Sequence, residues 1–275
     1  MDFNLNNFVI DRIVRGVALS QKDDSVLFAI NQIQNASLNC ASESTDAVDA
    51  MGTPIATFYR AKSAEFSAEN ALFDMNLMAT QLGTDKKVAS AEAKITVPAM
   101  ESFTVVAGQT KYDLKQTPKG EIKEIYALNS DSTFGTKYVK ATSASEKNFS
   151  IADKTITVQV QELNEDGSVK TPGIPAGTEM FVMYEYDTEK AVEVVNSAKK
   201  FPVGCKFIME VLGCDVCDQT NLVYAYVIFN NAKLSPDFDW SIATDGAHPF
   251  SMKAQQDYCD KEKRLFSIVI PGDQE

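Results

Sequence analysis

Histidine is almost absent from this 275-residue sequence: His248 is the only one. It stands in Gly-Ala-His-Pro-Phe, residues 246–250, a turn-like setting that suits a structural imidazole better than a catalytic one. No Gly-X-Ser-X-Gly elbow, phosphate-binding loop or dinucleotide fingerprint occurs, which makes an enzyme the least favoured class. Cysteine is also sparse. The five present are odd in number and widely spaced, as expected of free thiols in a reducing compartment. Cys214-Asp-Val-Cys217 is the one metal-like motif, but a zinc site needs a second pair at suitable spacing. Cys205, Cys259 and the lone histidine do not supply it. The acidic pairs Asp237/Asp239 and Asp215/Asp218 lack the dense oxygen pattern of a calcium loop and read as solvated turns. The expectation is no metal and no cofactor.

Basic residues are outnumbered, 26 to 38, for a net charge of −12 and a pI near 4.7. That argues against a grip on nucleic acid, which needs clustered Lys and Arg. It leaves open a surface that nucleic acid slides past without sticking. The excess is spread over 1–102, 103–187 and 188–275 alike, so no charged tail or arm is expected. No run approaches 18 apolar residues, so no spanning helix is expected. Residues 1–16 show no basic segment leading into an apolar run, so no secretory signal is expected.

What is present is a strand-rich pattern organised around residues 53–83. In 55–62, Ile55, Thr57, Tyr59 and Ala61 alternate with Ala56, Phe58, Arg60 and Lys62. A second segment alternates Ala64, Phe66 and Ala68 with Glu65, Ser67 and Glu69. Period-two alternation of this kind predicts strands with one buried face. From Asn70 the period lengthens. Leu72, Phe73, Leu77 and Met78 predict one amphipathic helix, with Gly83 as its left-handed cap. Upstream, 8–19 reads as a short helix or a buried strand, 26–30 and 37–41 as strands, and 43–52 as a polar acidic loop.

From 103 to 187 the signal is nearly all β. Strands are expected at 102–107, 121–129, 136–142, 155–162 and 179–186, between Gly-, Pro-, Asn- and Asp-rich turns. Asp166-Gly167 is a hairpin signal. This predicts a small β-sandwich. Among its aromatics, Phe134, Tyr138, Phe149, Tyr184 and Tyr186 are expected mainly as core rather than as a sugar-binding platform. The last segment predicts strands at 205–212, 222–229, 237–244, 251–258 and 265–270. In 223–229 both faces are apolar, which predicts burial on each side. Neither end segment looks complete alone. The predicted architecture is mainly β: a discontinuous core domain, 1–102 with 188–275, carrying one packed helix, and an inserted β-sandwich at 103–187.

The run from Ser37 through the acidic loop with Gly52, then Ile55-Ala-Thr-Phe-Tyr, Ser67, Asn70-Ala-Leu-Phe and Gly83, resembles the tail tube (major tail) proteins of long-tailed bacteriophages. The stretch 245–258 with Leu265-Phe-Ser-Ile-Val-Ile is similar in layout to the final two strands of that family. The middle module is a departure, since an added Ig-like domain in such proteins often lies at the C-terminus. The resemblance implies a non-enzymatic virion subunit made in the host bacterial cytoplasm. Such subunits form stacked, hexameric rings around a channel for DNA ejection. Implied partners are further copies of itself, with tail sheath, tape-measure and tail terminator or baseplate proteins beside them. DNA would be passing cargo, and no membrane is involved. Contacts between subunits or rings would fall at Glu43, Asp46, Asp49, Met51 and Gly52. Candidates for lining the channel are Arg60, Lys62, Glu65, Ser67, Ser251, Lys253, Gln255 and Asp257. The alternatives are a capsid decoration or head–tail connector protein, or a carbohydrate-binding adhesin module.

Overall fold

The computed structural model describes residues 7–258 and 261–272. The chain is mainly β, with one short helix among the described residues, and divides into two compact units. The first is built from both ends, 1–87 and 194–275, and the second is 88–193.

In the first unit, β1 (Phe8–Ser20), β2 (Val26–Ile30), β3 (Ile33–Val48) and β4 (Pro54–Asn70) precede α1 (Met75–Gln81). The ambiguous segment at 8–19 is thus a strand. After the second unit come β16 (Gly204–Asp215), β17 (Asp218–Leu234), β18 (His248–Ala254) and β19 (Ser267–Val269). One sheet runs β2-β1-β16-β17-β18-β4-β3, with β19 alongside β17. Its inner face closes on Phe28, Phe66, Phe207, Phe229, Phe250 and Leu77, all buried. The phenylalanine rings meet at 5.7–6.4 Å between centroids, in tilted or edge-on pairs that suit their quadrupoles.

Between these halves, β5 (Lys87–Val88) pairs with β15 (Val192–Glu193). The second unit then contains β6 (Ile95–Thr104), β7 (Lys111–Asp113), β8 (Glu124–Leu128), β9 (Phe134–Lys140), β10 (Asn148–Ala152), β11 (Thr155–Thr157), β12 (Glu162–Leu163), β13 (Val169–Thr171) and β14 (Glu179–Thr188). Its main sheet runs β6-β14-β8-β9-β10-β11-β7. Phe149, Ile125, Ile156, Met180 and Val182 form its core, with Tyr138 and Tyr184 also buried. Phe134 is exposed. The β12–β13 hairpin turns at Gly167 (φ +78°), whose N–H reaches Asn164 O.

Several expectations are corrected. The helix begins at Met75, not Asn70, because the Asp74 carboxylate accepts from the N–H groups of Asn76 and Leu77 and caps it there. Leu72 is left exposed before the helix. No strand forms at 237–244, where short turns take over. The strand expected at 251–258 instead spans His248–Ala254. Residues 43–48 are the end of β3 rather than loop. The expected junctions at 102/103 and 187/188 both fall inside the ladder of β6 and β14, which pairs Ile95 with Thr188 through to Thr104 with Glu179. Pro98 lies within that ladder, opposite Glu185. The Glu185 carbonyl accepts from Lys119 N–H on the other side, so the Pro98 main chain faces the outer border of the sheet, where a missing donor does no harm.

Candidate self-assembly surface

The longest hairpin is β3–β4. Near its base β4 is half inside: Ala64, Phe66 and Ala68 are buried and alternate with exposed Glu65 and Ser67. Pairing with β18 covers only 65–70. Further out, residues 41–48 and 54–63 are exposed on both faces. This two-stranded arm carries Phe58, Tyr59, Ile55, Val48 and Met51, the last 88% exposed. Phe58 and Tyr59 are neighbours on one strand, so they point to opposite faces. Each face of the ribbon therefore presents an aromatic ring to solvent. A two-stranded ribbon in water is marginally stable, and exposed apolar clusters of this kind mark contact surfaces.

The tip is well determined by the sequence. Asp49 Oδ1 accepts from the N–H groups of Met51 and Thr53, each at 2.8 Å, and Gly52 takes φ +84°. These N–H donors, Thr53 foremost, hold the Asp49 carboxyl below its ordinary value. Thr57 Oγ1 donates to Asp46 Oδ1 across the strands at 2.7 Å, and Glu43 stands opposite Arg60. Where arm meets base, the register slips between Ala41 and Glu43, and Ala61 adopts φ +49°. Such a bulge bends and twists a ribbon, re-aiming what lies beyond it.

All five residues expected at inter-subunit contacts thus lie on the arm: Glu43 and Asp46 on β3, and Asp49, Met51 and Gly52 at the turn. The channel candidates are split. Glu65 pairs with Lys253 and Ser67 with Ser251, on the face opposite buried Phe66 and Met252. Asn39 and Ser37 of β3 extend these two rows. Gln255 and Asp257 lie beyond β18, where Gln255 N–H donates to Asn231 O at 2.7 Å. Arg60 and Lys62 belong to the arm.

A second surface was not expected from the sequence. On β1, β16 and β17 the outward rows are Val17–Ile208–Ile228 and Arg15–Glu210–Tyr226. The aliphatic side chains of the first row are only half-buried. In the second, Arg15 Nε lies 2.5 Å from Glu210 Oε2, and Tyr226 OH donates to Glu210 Oε1 at 3.3 Å. The expectation that 223–229 is buried on both sides fails here. Ala225 and Phe229 are buried, but Tyr224 on the other face is exposed. The signal was in the sequence, since both faces of this strand are apolar, but a single chain covers only one.

The Cys214–Cys217 motif is the β16–β17 turn, with Cys214 buried, Cys217 exposed, and Cys217 N–H donating to Asp215 Oδ1. Cys259 lies outside the described residues. Among the described residues no three of His, Cys, Asp and Glu gather as metal ligands. No helix among them is long and apolar enough to cross a membrane.

This is a mainly-β protein whose conspicuous surfaces, among the described residues, are an exposed ribbon, a half-covered sheet face and open strand borders. The chain belongs to the YomU/Tube protein family, whose pattern matches residues 8–263. That family is phage-associated, and its name points to a tube-related structural protein. No curated protein matches the chain.

Proposed function

We propose that this protein is a tail tube subunit that assembles into stacked, hexameric rings around a channel for DNA. The observation that carries the reading is the β3–β4 arm, a long ribbon with apolar side chains on both faces and no cover in a single chain. Family membership supports the same role. The main sheet ends on β2 at one side and β3 at the other, and joining such borders between copies would close it into a ring-wide barrel. The arm would reach the adjacent copy or ring. The polar face of Ser67, Ser251, Glu65 and Lys253 would line the channel, and the net acidic chain would let DNA pass without gripping it. The second unit is read as an inserted Ig-like β-sandwich carried by the tube. Sheath, tape-measure, terminator or baseplate proteins would be the neighbours in the virion.

Negative-stain microscopy and sedimentation of the purified chain test this. Rings or tubes with an axial hole are expected. A particle that stays monomeric at high concentration would overturn the reading, and one that oligomerises only on added capsids would mark a decoration protein instead.

A further inference from the structure

The outward face of β2, β1, β16, β17 and β19 breaks the rule that a sheet with one solvated face alternates apolar inside with polar outside. Its rows are Val26–Leu19–Lys206, Ala29–Val17–Ile208–Ile228 and Arg15–Glu210–Tyr226–Val269. Val26 and Val269 are 62% and 45% exposed. The charged groups on these rows are Lys206, Arg15 and Glu210, and the latter two satisfy each other. The result is an apolar field with a neutralised ion pair set into it and Lys206 on its outermost row.

We infer that this face is the seat of the β3–β4 arm of a second copy. The inference rests on the self-assembly reading and names the surface on which the arm lands. Three observations favour the arm as occupant. It is an exposed segment of the same chain with apolar groups to spare, and it carries Phe58 and Tyr59 on opposite faces, so one always points toward a sheet it lies on. It is a narrow ribbon, and the field is narrow too. Five strands, crossed by these three rows over about five residues, span roughly 400 Å², below the roughly 800 Å² per partner of a stable pair. One arm on one face is therefore weak, and repetition is needed to hold it. Finally, arm and face are different surfaces of one chain, so the contact can repeat head to tail and propagate into rings or filaments, whereas a reciprocal exchange of arms would close a dimer.

The test uses three variants of the full chain. Phe58→Ser with Tyr59→Ser disables the arm and keeps the face. Ile228→Glu disables the face and keeps the arm. Val269→Lys, on the short β19, repeats the face change at a site that bears little on folding. Sedimentation and microscopy are expected to show wild-type polymers, with a critical concentration raised at least about tenfold in each variant. An equal mixture of the arm variant with either face variant, at a concentration well above the wild-type critical concentration, should give finite complexes of one copy each and no polymer, because a single intact but weak junction remains. If wild type assembles and the face variants assemble just as well, the inference is overturned while the tube reading stands. If the variants fail alone and the mixture also stays monomeric, arm and face do not meet. If wild type never assembles, both fall together.

Discussion

The imidazole of His248 lies 2.8 Å from Oε1 of Gln81, joining the first residue of β18 to the last residue of α1. His248 Nδ1 also accepts from Asp74 N–H at 3.5 Å, so Nε2 carries the proton and donates to Gln81. The ring is fully buried, stacked on Phe73 and flanked by Trp240. Both nitrogens are committed to the neutral form. Burial pushes the pKa of His248 down, and Asp74 only partly opposes this. A histidine with a folded pKa below its unfolded value keeps its full stability above about pH 6.5 and loses it as pH falls toward the folded pKa. Thermal melts should therefore show a declining midpoint from pH 7 to pH 5. His248→Gln should flatten that decline, at a general cost of about 1–3 kcal/mol from the disturbed buried hydrogen bonds.

The two phenylalanines of β4 should behave oppositely. Phe66 is buried at the meeting point of Phe207, Phe229 and Phe250, so Phe66→Ala should cost about 3–5 kcal/mol in denaturant unfolding. Phe58 is more than half exposed, so Phe58→Ala should shift the unfolding of the single chain by less than about 0.5 kcal/mol. Its effect should appear in sedimentation, as reduced association.

Much of this was legible beforehand. Strand alternation at 64–69 put Phe66 inside, whereas in 223–229 two apolar faces hid which of them, that of Ala225 and Phe229, turns inward. The arm was not. Glu43 and Asp46 carry loop-like chemistry, yet in a ribbon wet on both sides charged residues cost nothing, and Arg60 and Thr57 stand opposite them. Hydrophobic periodicity reports burial, so a strand that buries nothing within its own chain is silent. For the same reason Phe58 and Tyr59, adjacent and both apolar, look like one buried face and an error, when they are two exposed ones. The helix start was missed because Asp74, the cap, follows apolar Leu72 and Phe73, which mimic a helical stripe.

Gly83 and Gly52 share a left-handed backbone but not a setting. A Cβ on Gly83 would sit 2.2 Å from the Phe201 carbonyl, whereas Gly52 at the arm tip has open space around it. Gly83→Ala should destabilise the first unit by several kcal/mol, and Gly52→Ala by only about 1 kcal/mol, from conformation alone. Unfolding curves of the two variants in parallel separate steric from conformational cost.

Thiol labelling should rank the cysteines. Burial pushes the Cys205 thiol up to about 11, so it should resist alkylation at pH 8 while the protein is folded. Exposed Cys40 and Cys217 should label first, and mass spectrometry of timed digests reads the order.

Pro98 divides the labour between the two units. It interrupts the outer border of β6 where another molecule's strand would have to pair, so that side of the second unit is protected against zipping onto a neighbour, while the opposite border, β7, is only three residues long. Neither β2 nor β3, the borders of the main sheet, contains a proline. In the proposed tube, pairing along such borders would be left to the first unit, and the second could vary in sequence without tangling the polymer.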